Sequence, residues 1–165
     1  NMTIFVKNKG TLVIDDFIFR CSIGKKGVTK NKIEGDKKTP IGIFGIGNLY
    51  YRKDKFKKPE TKIKCIRIKK NMGWCDNPND SKNYNKLIRI NKKIKHEVLF
   101  RKDNKYDYLI PINFNTNKII PGKGSAIFIH ITKKYHATAG CIDLRKKDFE
   151  IMLKLINKKT KIKIS

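Results

Sequence analysis

The sequence predicts a single, mainly β domain with one helix near its C-terminus. The length of 165 residues fits one ordinary domain. Short apolar stretches separated by Gly, Pro, Asn and Asp recur along most of the chain, which is typical of strands and turns. Near the C-terminus the hydrophobic period changes to that of a helix. No internal repeat or low-complexity linker divides the chain, so residues 1–165 are predicted to form one domain.

The strands are predicted from runs of apolar and β-branched residues. A hairpin-like turn, KNKG, separates the first two of them. Polar loops are expected at 24–40 and 71–85, and 94–101 (IKHEVLFR) could form one or two helical turns. The predicted strands are 3–6, 11–14, 17–23, 41–46, 63–68, 108–114 and 125–131.

The C-terminal helix is predicted from four apolar residues on one face. Phe149, Met152, Leu153 and Ile156 follow the spacing i, i+3, i+4, i+7 of an amphipathic helix. The alternating segment 161–164 (KIKI) is then predicted to be a closing edge strand.

The chain is strongly basic, with 40 Lys and Arg against 14 Asp and Glu, a net charge of +26. An anionic partner, either nucleic acid or an envelope polymer, is one explanation. The other is an AT-rich codon bias, because the lysines are scattered and the basic runs stay short. No nucleic-acid-binding motif and no aromatic interleaving accompany the charge, so a basic nucleic-acid-binding module is the remote alternative.

The segment HATAGCIDL contains Cys141, which is the candidate nucleophile. A reactive cysteine needs a base, because a free thiol has a pKa of about 8.5. His130 ends the apolar run AIFIHI, whereas His136 lies in a Lys- and Tyr-rich loop. Gly140 allows close backbone approach and suits an oxyanion hole built from the N–H groups of residues 140 and 141. From spacing alone, a buried inert Cys141 is favoured over a catalytic one.

Metal and nucleotide chemistry find little support. The four cysteines permit two disulfides. The sequence contains no CxxC pair, so a zinc site is not expected. The stretch PGKGSA does not match the GxxxxGK[ST] phosphate-binding loop, and no GxGxxG is present. No cofactor and no metal are expected.

Five ordered blocks resemble the YkuD-type L,D-transpeptidase catalytic domain, from about residue 20 to 157. They are EGDKKTPIGIF, GWCDNPNDSKNYN, EVLFRKDNKYDYLI, NFNTNKIIPGKGSAIFIH and the segment that continues through TAGCIDLRKKDFEIML. The resemblance implies a β-sandwich or β-barrel-like fold with one amphipathic helix after the catalytic cysteine. It implies that Cys141 attacks a peptidoglycan stem peptide, forms an acyl-enzyme, and passes the acyl group to an amine of a neighbouring stem. His130 would be the base, the carbonyl of Ile131 its orienting group, and Gly140 part of the oxyanion hole.

The sequence departs from the common family ending, which resembles S/T-H-G-C-x-R. Ala139 replaces the histidine and Asp143 the arginine, and the spacing from His130 to Cys141 is shorter. An acid at 143 disfavours a nearby substrate carboxylate. The joined stem positions therefore stay open, with a link from L-alanine to diaminopimelate among them.

Substrate contacts are carried over from the same blocks. The competing interpretations are structural: Trp74 only packs, and Arg101 forms an ion pair with Asp103. The candidate substrate-binding residues are Trp74, Asp76, Tyr84, Asn85, Arg101, Asp103, Tyr106, Asn115, Ser125, Thr138, Ala139 and Asp143.

The resemblance also implies partners and a location. Donor and acceptor stem peptides are the expected partners, together with anionic envelope polymers, and nucleic acid is not expected. Hydrolysis of the same acyl-enzyme, as in a carboxypeptidase or endopeptidase, is the alternative activity. The sequence contains no long apolar run, so no transmembrane segment is predicted. The stretch NMTIFVKNKG lacks a signal-peptide block, yet a peptidoglycan substrate implies the periplasm or cell envelope.

Overall fold

The computed structural model describes residues 2–165 and is mainly β, as the sequence predicts. In chain order the strands are β1 (Thr3–Lys7), β2 (Thr11–Ile14), β3 (Phe17–Arg20), β4 (Val28–Thr29), β5 (Thr39–Pro40), β6 (Gly42–Gly45), β7 (Leu49–Tyr51), β8 (Cys65–Arg67), β9 (Met72–Cys75), β10 (Leu87–Arg89), β11 (His96–Val98), β12 (Tyr108–Pro111), β13 (Phe128–Ile131), β14 (Ile142–Leu144) and β15 (Lys161–Ile164). The helix, α1, spans Lys146–Leu155.

Two five-stranded sheets and one three-stranded sheet organise these strands. The first sheet has the order β3-β2-β1-β15-β6, and the second has the order β14-β13-β12-β7-β8. The three-stranded sheet has the order β10-β9-β11, and β4 pairs with β5 separately. None of the helices formed by residues 2–165 is both long and apolar enough to span a bilayer.

The main core lies between the two five-stranded sheets and α1. Alternate residues of each strand point into it, as the two-residue period of a strand requires. α1 contributes Phe149, Met152 and Leu153, which confirms the predicted apolar face. Burying such side chains contributes about 1.5–3 kcal/mol each.

A second cluster covers the opposite face of the second sheet, where the three-stranded sheet and the segment after it pack. It contains Tyr50, Ile68, Trp74, Leu99, Tyr106, Leu109, Ala126, Phe128 and Cys141. The candidate nucleophile therefore lies between the second sheet and its smaller neighbour, away from the main core.

Four local predictions were wrong. The predicted loop at 24–40 contains the two short paired strands β4 and β5. Residues 94–101 contain a strand instead of helical turns, because His96–Val98 pairs with β9. The predicted loop at 71–85 contains β9 itself, whose neighbours on both sides satisfy its backbone. The segment 161–164 is an inner strand, since it lies parallel to β1 on one side and antiparallel to β6 on the other.

Candidate active site

Strands β13 and β14 place the candidate nucleophile and base on one face of the second sheet. The two strands are parallel, with Ile129 opposite Ile142 and His130 opposite Asp143. Ile129 and Ile142 point into the main core. By alternation, His130, Cys141 and Asp143 project from the other face.

The step from Gly140 to Cys141 requires glycine. Gly140 has a φ of +143°, and a Cβ there would lie 2.9 Å from the carbonyl oxygen of Lys38. The Thr39 hydroxyl donates to the Gly140 carbonyl at 2.9 Å, and it accepts the Gly24 N–H at 2.8 Å. The loop that carries EGDKKTPIG thus supports the backbone directly before the candidate nucleophile.

Cys141 is 8% exposed, and its thiol is held by backbone groups at the start of the neighbouring strand. It donates to the Ala126 carbonyl at 3.2 Å, and it accepts the Phe128 N–H at 3.4 Å. Burial, followed by the negative charge of Glu97, raises the pKa of Cys141 to about 12. At neutral pH the residue is therefore a thiol, and a thiolate requires a base during the reaction.

His130 is 3% exposed and has one ring nitrogen fixed. Its Nδ1 lies 2.9 Å from the carbonyl oxygen of Ile131. Since a carbonyl only accepts, Nδ1 carries the hydrogen, and the lone pair is on Nε2. Nε2 is buried without a hydrogen-bond partner among residues 2–165. Burial lowers the pKa of His130 to about 4, so the ring is a neutral base at pH 7.

The thiol and the imidazole are on the same sheet face, but they are not hydrogen-bonded to each other. Cys141 bonds to Ala126, and Nε2 of His130 is unpartnered. In free enzymes the catalytic groups are often not yet in contact, and the contact forms only when substrate binds.

Acid titration is expected to expose the buried state of His130. The pKa is about 6.5 in the unfolded chain and about 4 in the folded protein. The unfolded chain therefore takes up a proton first as pH falls below about 6.5. This costs stability progressively down to pH 4, on the order of 3 kcal/mol. The free energy of unfolding, measured by urea denaturation from pH 7 to 4, should fall less in His130→Gln than in the wild type.

The exposed His136 provides the control for that titration. His136→Gln should show the same loss of stability with acid as the wild type. An equal pH slope in His130→Gln and the wild type would show that His130 is not the buried neutral histidine.

Tyr106 covers the histidine from the loop that follows the three-stranded sheet. Its ring lies edge-on to those of Phe128, at 5.7 Å, and His130, at 5.6 Å. Its hydroxyl donates to Glu97, and Lys105 lies 3.8 Å from the same carboxylate. Burial raises the pKa of Tyr106 well above its usual value. Sequence reasoning found Tyr106 and missed Glu97 and Lys105, whose charges reach the site only through the fold.

An open cleft of about 410 Å³ lies beside this cover. His130 and Asp143 form part of its wall, and Thr138, Lys105 and His136 surround them. Cys141 does not line the cleft, because its thiol points toward Ala126.

The loops around the site are joined by a half-buried carboxylate, that of Glu34. Glu34 accepts hydrogen bonds from the hydroxyls of Tyr84 and Ser125, both at 2.6 Å. The Tyr84 hydroxyl also accepts the Gly124 N–H at 3.0 Å. Glu34 was not selected from the sequence, although it lies in the EGD block that marked the resemblance.

Asn85 is a fully bonded buried side chain. Its Oδ1 accepts from Trp74 Nε1 at 2.9 Å and from the Ala126 N–H at 3.0 Å. Its Nδ2 donates to the carbonyls of Phe114, at 3.1 Å, and Asn115, at 2.7 Å. Trp74 and Asn85 thus position the backbone that bonds the thiol, and they do not line the cleft.

Replacing Asn85 by alanine is expected to destabilise the fold by about 3 kcal/mol or more. The change leaves two donors and two carbonyls without their partner in a buried site. Chemical denaturation measures the loss. Asn79→Ala, which changes an exposed side chain, should stay within about 0.5 kcal/mol of the wild type. A small loss for Asn85→Ala would show that this network contributes little.

The remaining candidates are spread around the cleft and its loops. Arg101 and Asp103 form an ion pair at 2.7 Å, with Asp103 on the cleft. Asn115 closes its own loop by donating to the carbonyls of Ile120 and Gly124 at 3.0 Å. Asp76 lies 3.6 Å from Lys95, Thr138 donates to the Cys141 carbonyl at 2.6 Å, and Ala139 is exposed.

Comparison with known proteins adds a family match. The model of the YkuD family, described as the L,D-transpeptidase catalytic domain, matches residues 1–164. No curated protein matches the sequence.

Two solved structures share the fold at low identity. The helical cell shape determining protein Pgp2 from Campylobacter jejuni matches with a TM-score of 0.54 and 15% identity, over 99% of this chain and 47% of that one. Bd1075 from Bdellovibrio bacteriovorus matches with a TM-score of 0.50 and 16% identity, over 99% and 47% of the two chains. This chain therefore spans about half the length of each.

Proposed function

The chain belongs to the YkuD family of L,D-transpeptidase catalytic domains, and on that premise we propose that it is a peptidoglycan L,D-transpeptidase with Cys141 as nucleophile. The observation that carries the proposal is the state of His130. Its Nδ1 is fixed by the Ile131 carbonyl, and its Nε2 is a buried, unpartnered base on the same sheet face as Cys141.

Acylation begins with rotation of the Cys141 side chain from the Ala126 carbonyl toward His130. Nε2 takes the thiol proton while Sγ attacks a carbonyl carbon of the donor stem. The tetrahedral intermediate collapses when the leaving amine takes that proton from the imidazolium. A C–N bond is broken and a thioester is formed. Both residues start neutral, since burial holds the pKa of the thiol high and that of the imidazole low.

The oxyanion of the intermediate requires N–H donors. We assign this role to the backbone N–H groups of Gly140 and Cys141. In the free protein the Gly140 N–H donates to the Thr138 hydroxyl at 3.1 Å, so this bond must give way when the oxyanion forms.

Transfer reverses the same steps with an amine of a neighbouring stem. The amine attacks the thioester carbon, a C–N bond forms, the C–S bond breaks, and the proton passes through His130. Hydrolysis, the alternative, differs only in that water attacks. The cross-link is proposed to join two diaminopimelate residues, or L-alanine and diaminopimelate, as the departures at Ala139 and Asp143 leave open.

A second, basic cleft supports anionic envelope polymers as further partners. It adjoins the first at Ile131, Thr132 and Lys133, and it extends to Arg145 and Lys147. No carboxylate among residues 2–165 lies within ion-pair distance of Lys133, Arg145 or Lys147. Attraction to a polyanion would be screened by salt.

The proposed location is the periplasm or cell envelope, where the substrate lies. Pgp2, which shares the fold, is described as a helical cell shape determining protein. We extend to this chain a role in shaping the wall.

The proposal is tested on purified peptidoglycan. The polymer is incubated with the protein and digested to muropeptides, which are identified by mass spectrometry. New dimers joined through an L,D bond support transfer and name the joined residues, whereas shortened monomers alone support hydrolysis. A muropeptide profile identical to the untreated polymer would contradict both activities.

A further inference from the structure

Asp143 is a buried carboxylate beside the proposed base. It lies directly opposite His130 on the neighbouring strand, and it is 2% exposed. Both residues form part of the wall of the 410 Å³ cleft. A group entering that cleft therefore meets the carboxylate and the imidazole together.

The carboxylate is held by the N–H and the side chain of Ser22, and it has no counter-ion. Its Oδ1 accepts the Ser22 N–H at 3.1 Å. No basic nitrogen of residues 2–165 lies within ion-pair distance of it. Lys105 and His136 are basic side chains that act on it from other elements, and both do so from beyond that distance. Cys21, Tyr135 and Cys141 are further titratable side chains that interact with it. A buried charge is normally paired, and the Asp143 carboxylate has no such partner in the free protein. Burial therefore raises the pKa of Asp143.

The other carboxylate of the cleft is already satisfied. Asp103 accepts two hydrogen bonds from Arg101, at 2.8 and 2.7 Å. Asp143 is consequently the position in the cleft where an incoming cation gains a partner.

We propose that Asp143 is the counter-ion for the ammonium group of the acceptor. This inference rests on the proposed transferase function and deepens it. The acceptor is a primary amine, which is protonated at neutral pH and must give up protons beside His130 in order to react. The donor carbonyl, in contrast, must lie at the sulfur of Cys141.

The protons of the transfer step balance through these residues. The ammonium pairs with Asp143 and gives one proton to water. The amine then attacks the thioester carbon, while Nε2 of His130 takes its second proton. The imidazolium passes that proton to the departing sulfur of Cys141, which leaves an amide and the free thiol. Water carries no positive charge that could pair with the carboxylate, so Asp143 favours transfer over hydrolysis.

The test is Asp143→Asn, which keeps an oxygen to accept the Ser22 N–H and removes the charge. Three reactions are compared at pH 7: acylation by a carbapenem, transfer from a stem peptide to a diaminopimelate-containing muropeptide, and transfer to hydroxylamine, which is mostly uncharged. We expect the KM for the muropeptide amine to rise about tenfold or more, because a charge-assisted bond is lost. Acylation and the hydroxylamine reaction should keep wild-type rates. Asp148→Asn, which removes a carboxylate from α1 outside the cleft, should match the wild type in all three.

The outcomes separate this inference from the proposed function. An unchanged acceptor KM in Asp143→Asn, or an equal loss in all three reactions, would overturn the role of Asp143 and leave the transferase intact. A wild-type protein that neither acylates nor transfers would overturn both.

Discussion

Replacement of Cys141 by alanine is expected to remove acylation and turnover altogether, a loss on the order of 10³-fold or more. No other group on this face of the sheet can form the thioester. The fold should survive, because the change deletes one sulfur from the second cluster and costs about 1 kcal/mol. Turnover is followed on muropeptides, and acylation by the mass added on incubation with a carbapenem, which resembles a donor stem for this family.

Cys75→Ala is the matched control for that variant. Cys75 is also a buried free thiol, but it lies on β9 of the three-stranded sheet and not on the sheet that carries His130. It should keep both the adduct and the turnover. Full turnover in Cys141→Ala would show that another residue is the nucleophile.

Replacement of His130 by alanine is expected to slow acylation by about 10²- to 10⁴-fold. Without His130 the thiol, whose pKa is raised to about 12, loses the imidazole on its face of the sheet, and the carboxylates of Glu97 and Asp143 only raise that pKa. Acylation by the wild type should hold constant across neutral pH and decline as pH falls through about 4, where His130 takes up a proton. Stopped-flow or mass-resolved acylation rates measure both effects.

His136→Ala, which changes an exposed ring at the edge of the cleft, separates the two histidines. It should keep acylation within a few-fold of the wild type. Wild-type rates in His130→Ala together with a loss in His136→Ala would move the base to His136.

Local patterns in the sequence predict the individual elements that hold these residues. The apolar run that ends at His130 forms β13, and the face of Phe149, Met152 and Leu153 forms α1. Both signals are strong because they depend only on burial at a fixed period. The short strand β11 gave no such signal, since its position is set by pairing with β9.

Long-range parallel pairing could not be predicted from the sequence. The segment 161–164 looks like an edge strand, yet it is covered by β1 on one side and β6 on the other. The register of β13 with β14, which sets Asp143 opposite His130, is equally invisible in a linear pattern. These partners are chosen by the packing of whole sheets.

The same limit applies to the site. The chemistry of Cys141 and His130 suggests their proposed roles from the sequence. Gly140 is recognisable there as the glycine directly before the cysteine. The support from Thr39 and the charge of Glu97 arise from contacts between distant segments. That the Asp143 carboxylate has no counter-ion is likewise known only once its surroundings in the fold are known.

The acyl-enzyme provides the most direct measurement. A donor stem peptide is mixed with the wild-type protein, the reaction is quenched in acid, and the modified peptide is located by tandem mass spectrometry. We expect a single acyl group on Cys141, absent from Cys141→Ala and formed far more slowly in His130→Ala. An acyl group on a different residue, or cross-linking that proceeds with no modification of Cys141, would contradict the proposed mechanism.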